Sequence, residues 1–326
     1  MTKKIALLTG GYSGEAVISY KSAKTIDAHL DRSKYEVYLI DVRKDGWFYQ
    51  DSITIDKNDF TLPLSTGKVK FDAVFICIHG TPGEDGKLQG YFDTLGIPYT
   101  SCDAATSAIT FNKRYTVAVA AMAGIGVARS VHLFRHTHSN AASFRDTLQY
   151  PVFVKPNNGG SSIGMSKVFN AGELDEAIEK AFAEDNQVLV EEMIQGREFT
   201  VGVYRSKGKI LVLPITEVRA DHDKAFFDFE AKYQGKSTET TPAEIPDTVA
   251  EKIREAARTI YSVFNCRGVI RIDFIFQEQE GRPYMLEVNT IPGQSDASIV
   301  PQQVRAAGMN LTDFYSAITD EALNAS

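Results

Sequence analysis

The run Gly268-Val-Ile-Arg-Ile-Asp-Phe-Ile-Phe276 is followed, after a short polar break, by Tyr284-Met-Leu-Glu-Val-Asn-Thr-Ile-Pro-Gly293. Apolar residues alternate with polar ones in both runs, and a period of two residues predicts two half-buried strands. The break from Gln277 to Pro283 contains Gly281, which suits a hairpin connection. We therefore predict an antiparallel pair of strands with one apolar face and one polar face.

Four polar side chains share the polar face of this predicted hairpin. In a symmetric hairpin Asp273 lies opposite Glu287, and Arg271 lies opposite Asn289, with Cβ atoms of opposed residues only ~5 Å apart. Two facing carboxylates repel each other, and two carboxylates with an amide oxygen suit Mg²⁺. A surface hairpin with a cross-strand Arg–Glu pair is the alternative. Four polar groups over an unbroken apolar face favour a metal and phosphate site.

Length and composition limit the class of protein. The 326 residues are 43% hydrophobic and 24% charged, which is typical of a globular chain with two or three domains. The net charge of −7 argues against a general nucleic-acid or anionic-membrane binder. The first apolar run, Ile5 to Leu8, is too short for a signal peptide, and no segment approaches ~20 apolar residues. We expect a cytoplasmic protein.

The three cysteines are far apart and have no paired spacing. This pattern fits a reducing compartment and indicates neither a zinc site nor a disulfide framework. Cys77 lies within the apolar run Phe71 to Ile78, so we expect it to be a buried structural residue rather than a nucleophile.

The N-terminal third alternates predicted strands (Lys4–Thr9, Tyr35–Val42, Phe71–Ile78) with a predicted helix from Ala16 to Leu30. This order is typical of an open parallel sheet, in which ligands bind beyond the carboxyl ends of the strands. The loops Gly10–Glu15 and His79–Gly86 follow two of these strands. The first lacks the G-x-G-x-x-G spacing of a dinucleotide site, which excludes a nicotinamide dehydrogenase. Glu15 either complements the helix dipole or grips a substrate ammonium group.

A second unit is predicted to begin near Ser107, with a helix from Asn112-Lys113 to Ala123. A strand from Tyr150 to Lys155 leads into Pro156-Asn-Asn-Gly-Gly-Ser-Ser-Ile-Gly-Met-Ser166. Glycines and serines between two strands, with a lysine at the root, predict a loop that cradles phosphate through its N–H groups. The loop is not a Walker A motif, because Met165-Ser166 follows Gly164.

The C-terminal part contains the predicted helices Glu173–Glu184 and Pro246–Phe264 and the predicted strands Gln187–Glu192 and Gly196–Tyr204. The acids at the end of the first strand either bond a ribose or purine or are solvated strand ends. Arg219 to Pro242 has no clear period, which is typical of a lid or binding loop.

These motifs together resemble the D-alanine–D-alanine ligase family of ATP-grasp enzymes, over nearly the whole chain. The motifs are Gly10-Gly-Tyr-Ser-Gly-Glu15, His79-Gly-x-x-Gly-Glu-Asp-Gly86-x-x-Gln89-Gly90, Lys155-Pro-x-x-x-Gly-Ser161-Ser-x-Gly164, Glu198-Phe-Thr, Glu230-Ala-Lys-Tyr233, Arg271-x-Asp273 and Glu287-x-Asn289-Thr-x-Pro-Gly293. The implied fold is α/β and α+β, with an N-terminal open parallel, Rossmann-like sheet (1–106) before the two ATP-grasp subdomains (107–190 and 191–326).

The resemblance implies a role for each matching position. The nucleotide site would comprise Lys113, Lys155, Ser161, Ser162, Glu191, Glu192, Ile194, Glu198 and Lys232, where the lysines contact phosphates and Glu191 and Glu198 the adenine and ribose. Asp273, Glu287 and Asn289 would hold two Mg²⁺ ions, replaceable by Mn²⁺. Glu15 would bind the ammonium of the first D-alanine, supported by a hydrogen-bonded chain through Ser161 and Tyr233. His79 would contact substrate, Arg271 and the Gly293 N–H would form an oxyanion hole, and Ser298 would hold the second carboxylate.

The implied activity is ATP-dependent ligation of two D-alanines through an acyl phosphate, for peptidoglycan precursor synthesis. The implied partners are D-alanine, ATP and a second copy in a homodimer, with no nucleic acid and no membrane. Two alternatives remain: an ATP-grasp ligase that takes D-serine or D-lactate second, and a non-catalytic nucleotide-binding protein. Tyr233 favours an amine over D-lactate, because depsipeptide-forming relatives differ in this region.

Overall fold

The structure is a computed structural model that describes residues 2–136, 142–145, 147–160, 162–220 and 237–324. Within these residues the strands are β1 (Lys3–Gly10), β2 (Tyr35–Arg43), β3 (Gly46–Tyr49), β4 (Ile53–Thr54), β5 (Leu62–Leu64), β6 (Gly67–Val69), β7 (Ala73–Ile76), β8 (Ser130–Phe134), β9 (Val152–Pro156), β10 (Ser166–Val168), β11 (Gln187–Glu192), β12 (Arg197–Ser206), β13 (Lys209–Val212), β14 (Thr216–Ala220), β15 (Ser237–Thr240), β16 (Val269–Gln277) and β17 (Arg282–Asn289). The helices are α1 (Ala16–His29), α2 (Lys87–Leu95), α3 (Ala104–Phe111), α4 (Lys113–Met122), α5 (Ala142–Arg145), α6 (Leu174–Glu184), α7 (Asp247–Val263), α8 (Ile299–Ala306) and α9 (Leu311–Asn324).

The N-terminal sheet has the order β4-β3-β2-β1-β7. β1 pairs in parallel with both β2 and β7, and its apolar run Ile5 to Leu8 is fully buried, as expected of a central parallel strand. The loops that follow β1 and β7 therefore lie side by side, and Tyr12 N donates to Thr81 O at 2.9 Å. β3 and β4 extend the sheet with antiparallel pairs. The sequence does not predict them, because such short segments show no period.

The central sheet has the order β10-β9-β11-β8, and all of its pairs are antiparallel. α6 covers this sheet with a buried stripe that confirms the predicted amphipathic helix. The stripe consists of Leu174, Ala177, Ile178, Ala181 and Phe182. β9 and β10 flank the glycine- and serine-rich loop, so the loop projects from one end of this sheet.

The C-terminal sheet has the order β15-β14-β12-β16-β17, and β13 also pairs with β12. α7 packs against one face, where Ile270, Ile272 and Phe274 are fully buried. Burial of this apolar face directs the alternate residues of β16 to the opposite side. The hairpin prediction is confirmed in register: Arg271 pairs with Asn289, and Asp273 pairs with Glu287.

A β-bulge interrupts this hairpin directly after the Asp273–Glu287 pair, since the next pair is Phe274 with Met285. Leu286 is therefore the extra residue on β17. The predicted unbroken alternation of the second run is wrong at this point: Met285 is 2% exposed, while Leu286 is only half-buried.

The predicted irregular segment Arg219 to Pro242 is bounded by regular structure. β14 and β15 pair in antiparallel fashion, with Glu217 opposite Thr240. The expectation of no regular structure is therefore wrong for both ends, because the backbone of each end is satisfied by a strand ladder. Residues 221–236, which contain Lys232 and Tyr233, lie outside the described residues.

The C-terminal helix α9 packs back against the N-terminal sheet. The ring of Tyr315 meets Phe75 edge-on at 6.1 Å between centroids, and Tyr35 Oη donates to Asp320 Oδ1 at 2.5 Å. Cys77 is 1% exposed, which confirms its predicted burial, and burial raises the pKa of its thiol to about 12. In the part of the chain that the structure describes, no helix is long and apolar enough to cross a membrane.

Candidate active site

A cleft between the three sheets consists of two cavities that share one wall. The larger cavity has a volume of about 550 Å³ and the smaller about 300 Å³. Both are lined by Glu15, Lys113, Glu198, Asp273 and Glu287. Residues from the N-terminal unit, the central unit and the predicted hairpin therefore meet at this wall, although Glu15 and Glu287 are 272 positions apart in the chain.

Asp273 accepts hydrogen bonds from three neighbouring residues. Arg271 donates to it from Nε and from Nη2, both at 2.8 Å. Thr200 Oγ1 donates at 2.5 Å and Asn289 Nδ2 at 3.3 Å. The opposed carboxylate of Glu287 lies 3.9 Å from Arg271 Nη2. One guanidinium therefore stands beside two carboxylates, so the face carries a net negative charge.

The donor set of this face fits a hard divalent cation. Asp273 and Glu287 provide carboxylate oxygens and Asn289 an amide oxygen, which are the ligand types that Mg²⁺ prefers. A carboxylate has about four acceptor positions, and four donors already approach Asp273. An ion at this carboxylate would therefore replace one of those donors. Glu287 is more accessible, with 33% of its side chain exposed.

The larger cavity carries the cationic groups that the sequence assigns to phosphate. Lys155 Nζ lies 2.5 Å from Glu191 Oε1, in a pair whose side chains are 15% and 6% exposed. Lys113 Nζ donates to the backbone oxygen of Gly159, at the tip of the phosphate loop, at 2.6 Å. Asn112, the residue before α4, caps this helix by accepting from Tyr115 N, which fixes the helix end that bears Lys113.

Three further residues of the predicted nucleotide site, Ser162, Glu192 and Ile194, also line the larger cavity. Glu192 Oε1 accepts from Gln149 N at 2.8 Å. The structure thus brings the described members of the predicted nucleotide set together. Ser161 and Lys232 lie outside the described residues.

Apolar side chains complete the larger cavity, and sequence reasoning did not identify them. Ile275 and Leu286 lie on the same side of the hairpin as Asp273, and Phe153 faces them from β9. Leu286 reaches this side because of the bulge. An apolar floor beside a few polar groups is typical of a small-molecule site. The sequence could have indicated Ile275, because in a strand it points to the same side as Arg271 and Asp273.

Glu15 lies in a narrow space between two glycines. Gly80 has a φ of +68°, and a Cβ at this position would lie 2.5 Å from Glu15 Oε2. A Cβ at Gly160 would lie 3.0 Å from Glu15 Oε1. Only glycine leaves room for the carboxylate at Gly80, because the left-handed φ and the close approach both disfavour a side chain. Glu15 thereby reaches the wall shared by both cavities.

His79 and Glu84 form the back of the smaller cavity. His79 is 7% exposed, and burial, with the neighbouring positive charge of Arg271, lowers its pKa to about 4. Its Nε2 lies 3.2 Å from Ser22 Oγ. Burial, and secondly the negative charge of Glu15, raise the pKa of Glu84 to about 8. Sequence reasoning quoted Glu84 within a motif but gave no role to it or to Ser22.

The predicted residues for the second substrate line the smaller cavity together with Arg271 and Asn289. Ser298 directly precedes α8, and its Oγ lies 2.8 Å from Ser295 Oγ. A Cβ on Gly293 would lie 2.8 Å from Ser298 Oγ, so the two predicted positions are close neighbours. Tyr233, the remaining predicted member, lies outside the described residues.

Comparison with known proteins agrees with this arrangement. The family described as "D-ala D-ala ligase N-terminus" matches residues 4–102, and "D-ala D-ala ligase C-terminus" matches residues 118–320. The D-alanine–D-alanine ligase of Flavobacterium johnsoniae is 46% identical over 96% of this chain and 97% of its own length. That of Parabacteroides distasonis is 43% identical over 99% and 98%.

Solved structures show the same likeness in three dimensions. The D-alanyl-alanine synthetase A of Vibrio cholerae has a TM-score of 0.88 at 32% identity and is covered over 99% of both chains. The VanG D-Ala:D-Ser ligase of Enterococcus faecalis has a TM-score of 0.88 at 31% identity over 99% of this chain and 100% of that one. These matches span the N-terminal sheet, the central unit and the hairpin alike. The chain belongs to the D-alanine–D-alanine ligase family.

Proposed function

We propose that this protein joins two molecules of D-alanine to D-alanyl-D-alanine with hydrolysis of ATP to ADP and phosphate, and so supplies peptidoglycan synthesis. One observation carries the proposal beyond family membership. The cavity with Lys113 and Lys155 shares its Asp273–Glu287 wall with the cavity that contains Glu15, Arg271 and Ser298. A phosphoryl donor and two amino acids can therefore meet at one wall.

In the first half-reaction the carboxylate of the first D-alanine attacks the γ-phosphorus of ATP. A C–O–P linkage forms, the bond between the γ-phosphorus and the β,γ-bridging oxygen breaks, and ADP leaves. Glu15 holds the ammonium group of this D-alanine, and Ser161 and Tyr233 continue its hydrogen-bonded chain. Lys113, Lys155 and Lys232 balance the phosphate charge, which is the main task in phosphoryl transfer.

In the second half-reaction the amine of the second D-alanine attacks the acyl carbonyl carbon, and phosphate leaves. Ser298 holds the carboxylate of this second substrate. Arg271 and the Gly293 N–H bind the oxygen that becomes negatively charged in the tetrahedral intermediate. One such donor is typically worth ~3 kcal/mol at the transition state. Water would hydrolyse the acyl phosphate, so we expect the lid predicted from the sequence at residues 219–242 to exclude it.

Asp273, Glu287 and Asn289 would hold two Mg²⁺ ions, which Mn²⁺ can replace. When bound, such ions neutralise the charge on the transferring phosphoryl group. Glu191, Glu192, Ile194 and Glu198 would contact the adenosine. The homodimer that the resemblance implies also remains a prediction, and sedimentation velocity would check it.

The test is incubation of the full-length protein with ATP, Mg²⁺ and D-alanine, followed by separate measurement of ADP, phosphate and dipeptide. We expect one of each per turnover and no dipeptide with L-alanine. Absence of both ADP and dipeptide would contradict the proposal. Competition between D-alanine and D-serine or D-lactate separates the second-substrate alternatives, and D-alanine-independent ATP binding without turnover would indicate a non-catalytic protein.

A further inference from the structure

The loop Ile291–Gln294 belongs to the C-terminal unit but is held by residues of the N-terminal domain. It carries Gly293, whose N–H serves as an oxyanion donor in the proposed function, on which this inference rests. We infer that Ser22, His79 and Glu84 are positioning residues that set the place of the Gly293 N–H for the second half-reaction. They do so without contacting the reacting atoms.

Ser22 fixes the end of the loop that follows Gly293. Its Oγ accepts from Gln294 N at 3.0 Å, although the two residues are 272 positions apart in the chain. Ser22 is fully buried on α1, so water does not compete for this contact. The peptide unit directly after Gly293 is therefore oriented by a helix of the other domain.

Glu84 fixes the end of the loop that precedes Gly293. Its Oε1 accepts from Ile291 N at 3.4 Å, and its Oε2 accepts from Gly80 N at 2.6 Å. Gly80 is the residue that lies against Glu15. One carboxylate thus ties the loop to the turn that also shapes the site for the first D-alanine.

His79 links Ser22 to Ile291, the residue whose N–H Glu84 binds. Its Nε2 contacts Ser22 Oγ at 3.2 Å, and its ring also hydrogen-bonds the main chain of Ile291. A neutral imidazole has one donor and one acceptor. A ring N–H that binds the Ile291 carbonyl leaves Nε2 as the acceptor of the Ser22 hydroxyl. Both ring nitrogens are then used in holding the loop, one directly and one through Ser22. The position of His79 is therefore explained without a contact to substrate.

The backbone chemistry of the loop leaves Gly293 in a distinct position. Pro292 has no N–H group, and the N–H groups of Ile291 and Gln294 are bound by Glu84 and Ser22. The Gly293 N–H lies between these two anchors, beside the smaller cavity. An oxyanion donor must lie about 2.7–3.1 Å from the oxygen, so anchors on both sides are an effective way to hold it there.

The first half-reaction does not use the Gly293 N–H, and this difference makes the inference testable. We would compare Ser22→Ala and Glu84→Gln with Ser107→Ala as the matched control. Ser107 is also a fully buried serine with one hydroxyl bond to a backbone oxygen, Cys102 O at 3.3 Å. Hydroxylamine in solution captures D-alanyl phosphate that has left the site, forming the C–N bond of the hydroxamate and releasing phosphate without help from the Gly293 N–H.

We expect dipeptide formation to fall about 100-fold in Ser22→Ala and Glu84→Gln, since misplacement by ~1 Å can have that effect. The KM for ATP should stay unchanged, and the hydroxamate formed per ADP should rise. Ser107→Ala should match the parent in the rate of dipeptide formation and in the hydroxamate formed per ADP. Ser22→Cys retains the side-chain volume with a poorer acceptor, and it carries the test alone if thermal melting shows that Ser22→Ala does not fold.

Equal losses of hydroxamate and dipeptide in the Ser22 variant would overturn the inference, because they would indicate a role in the first half-reaction. Unchanged rates of both products would overturn it as well. A parent protein that produces neither ADP nor dipeptide would contradict the proposed function instead, so the two failures are distinguishable.

Discussion

Asp273 and Glu287 face each other directly across the β16–β17 pair, and a single guanidinium, that of Arg271, lies beside both carboxylates. The two acids differ in their surroundings. Asp273 is 7% exposed and accepts four hydrogen bonds, whereas a third of the Glu287 side chain is exposed. Loss of the Asp273 charge should therefore affect folding more than loss of the Glu287 charge, although both acids belong to the proposed metal site.

Glu287→Gln should impair catalysis far more than folding. The substitution keeps the volume of a partly exposed side chain, so we expect a change in the free energy of unfolding below about 1 kcal/mol. Loss of a charge that serves Mg²⁺ should lower kcat at least ~100-fold and shift the Mg²⁺ dependence to higher concentration. Glu280→Gln, at the turn of the same hairpin, is the control. Equal Mg²⁺ dependence in Glu287→Gln and the parent would refute this prediction.

Asp273→Asn should impair both folding and catalysis. The new amide would present N–H groups to Arg271 in either orientation, because Arg271 contacts both carboxylate oxygens and a guanidinium is only a donor. Breaking a buried ion pair by removing one partner typically costs about 3 kcal/mol. Urea unfolding of Asp273→Asn and Glu287→Gln side by side would check this contrast. Equal stability of the two variants would contradict the predicted contrast, and an Asp273→Asn variant as stable as the parent would show that the network around Asp273 contributes nothing to folding.

The register of this hairpin could be predicted because alternation and loop length together leave few pairings. The bulge at Leu286 could not, because Tyr284, Leu286 and Val288 satisfy a period of two just as a regular strand does. The bulge places Leu286 beside Ile275 in the larger cavity. An extra residue in one strand leaves no mark here, since Tyr284, Met285 and Leu286 are all apolar and any of them can fill the buried face.

The contacts of the loop around Gly293 were also beyond sequence reasoning, for a different reason. Ser22 and Gln294 are a buried serine and a backbone N–H in separate domains, and no local pattern relates them. The resemblance to a family supplied roles for Glu15 and Arg271, which stand in motifs, and for Ser298, which follows the last motif by five residues. It supplied no role for Ser22, which acts through the fold and not through a motif of its own.

Variants of the Lys155–Glu191 pair should show whether Lys155 contributes to nucleotide binding, to folding stability or to both. Their pair is almost fully buried, so Lys155→Ala should leave an uncompensated carboxylate and cost about 3 kcal/mol of unfolding free energy. The KM for ATP should rise at least ~10-fold through loss of a charge-assisted phosphate contact.

The double variant Lys155→Met with Glu191→Leu should recover most of that stability, because apolar replacement of a buried pair is often neutral. Its KM for ATP should remain high. Recovery of both quantities in the double variant would show that Lys155 serves the fold and not the nucleotide, and urea unfolding with steady-state kinetics would decide between these outcomes.

The free energy of unfolding should depend on pH through Glu217, which lies on β14. Arg197 donates to its two oxygens at 2.8 and 2.9 Å, and this pairing, reinforced by Arg219, lowers the pKa of the carboxyl below its ordinary value. A lowered folded-state pKa contributes stability above the unfolded value of about 4.5, and that stability is lost as pH falls through the folded value. Glu217→Gln should therefore be less stable than the parent by about 2 kcal/mol at pH 7, and the difference should shrink progressively below pH 4.5.

Urea unfolding of both proteins between pH 7 and pH 3 measures this difference. The control is Glu251→Gln, since Glu251 forms an exposed pair with Arg258 and its loss should have a much smaller effect. A difference for Glu217→Gln that stays constant over this range would mean that packing, and not the charge, is what Glu217 contributes.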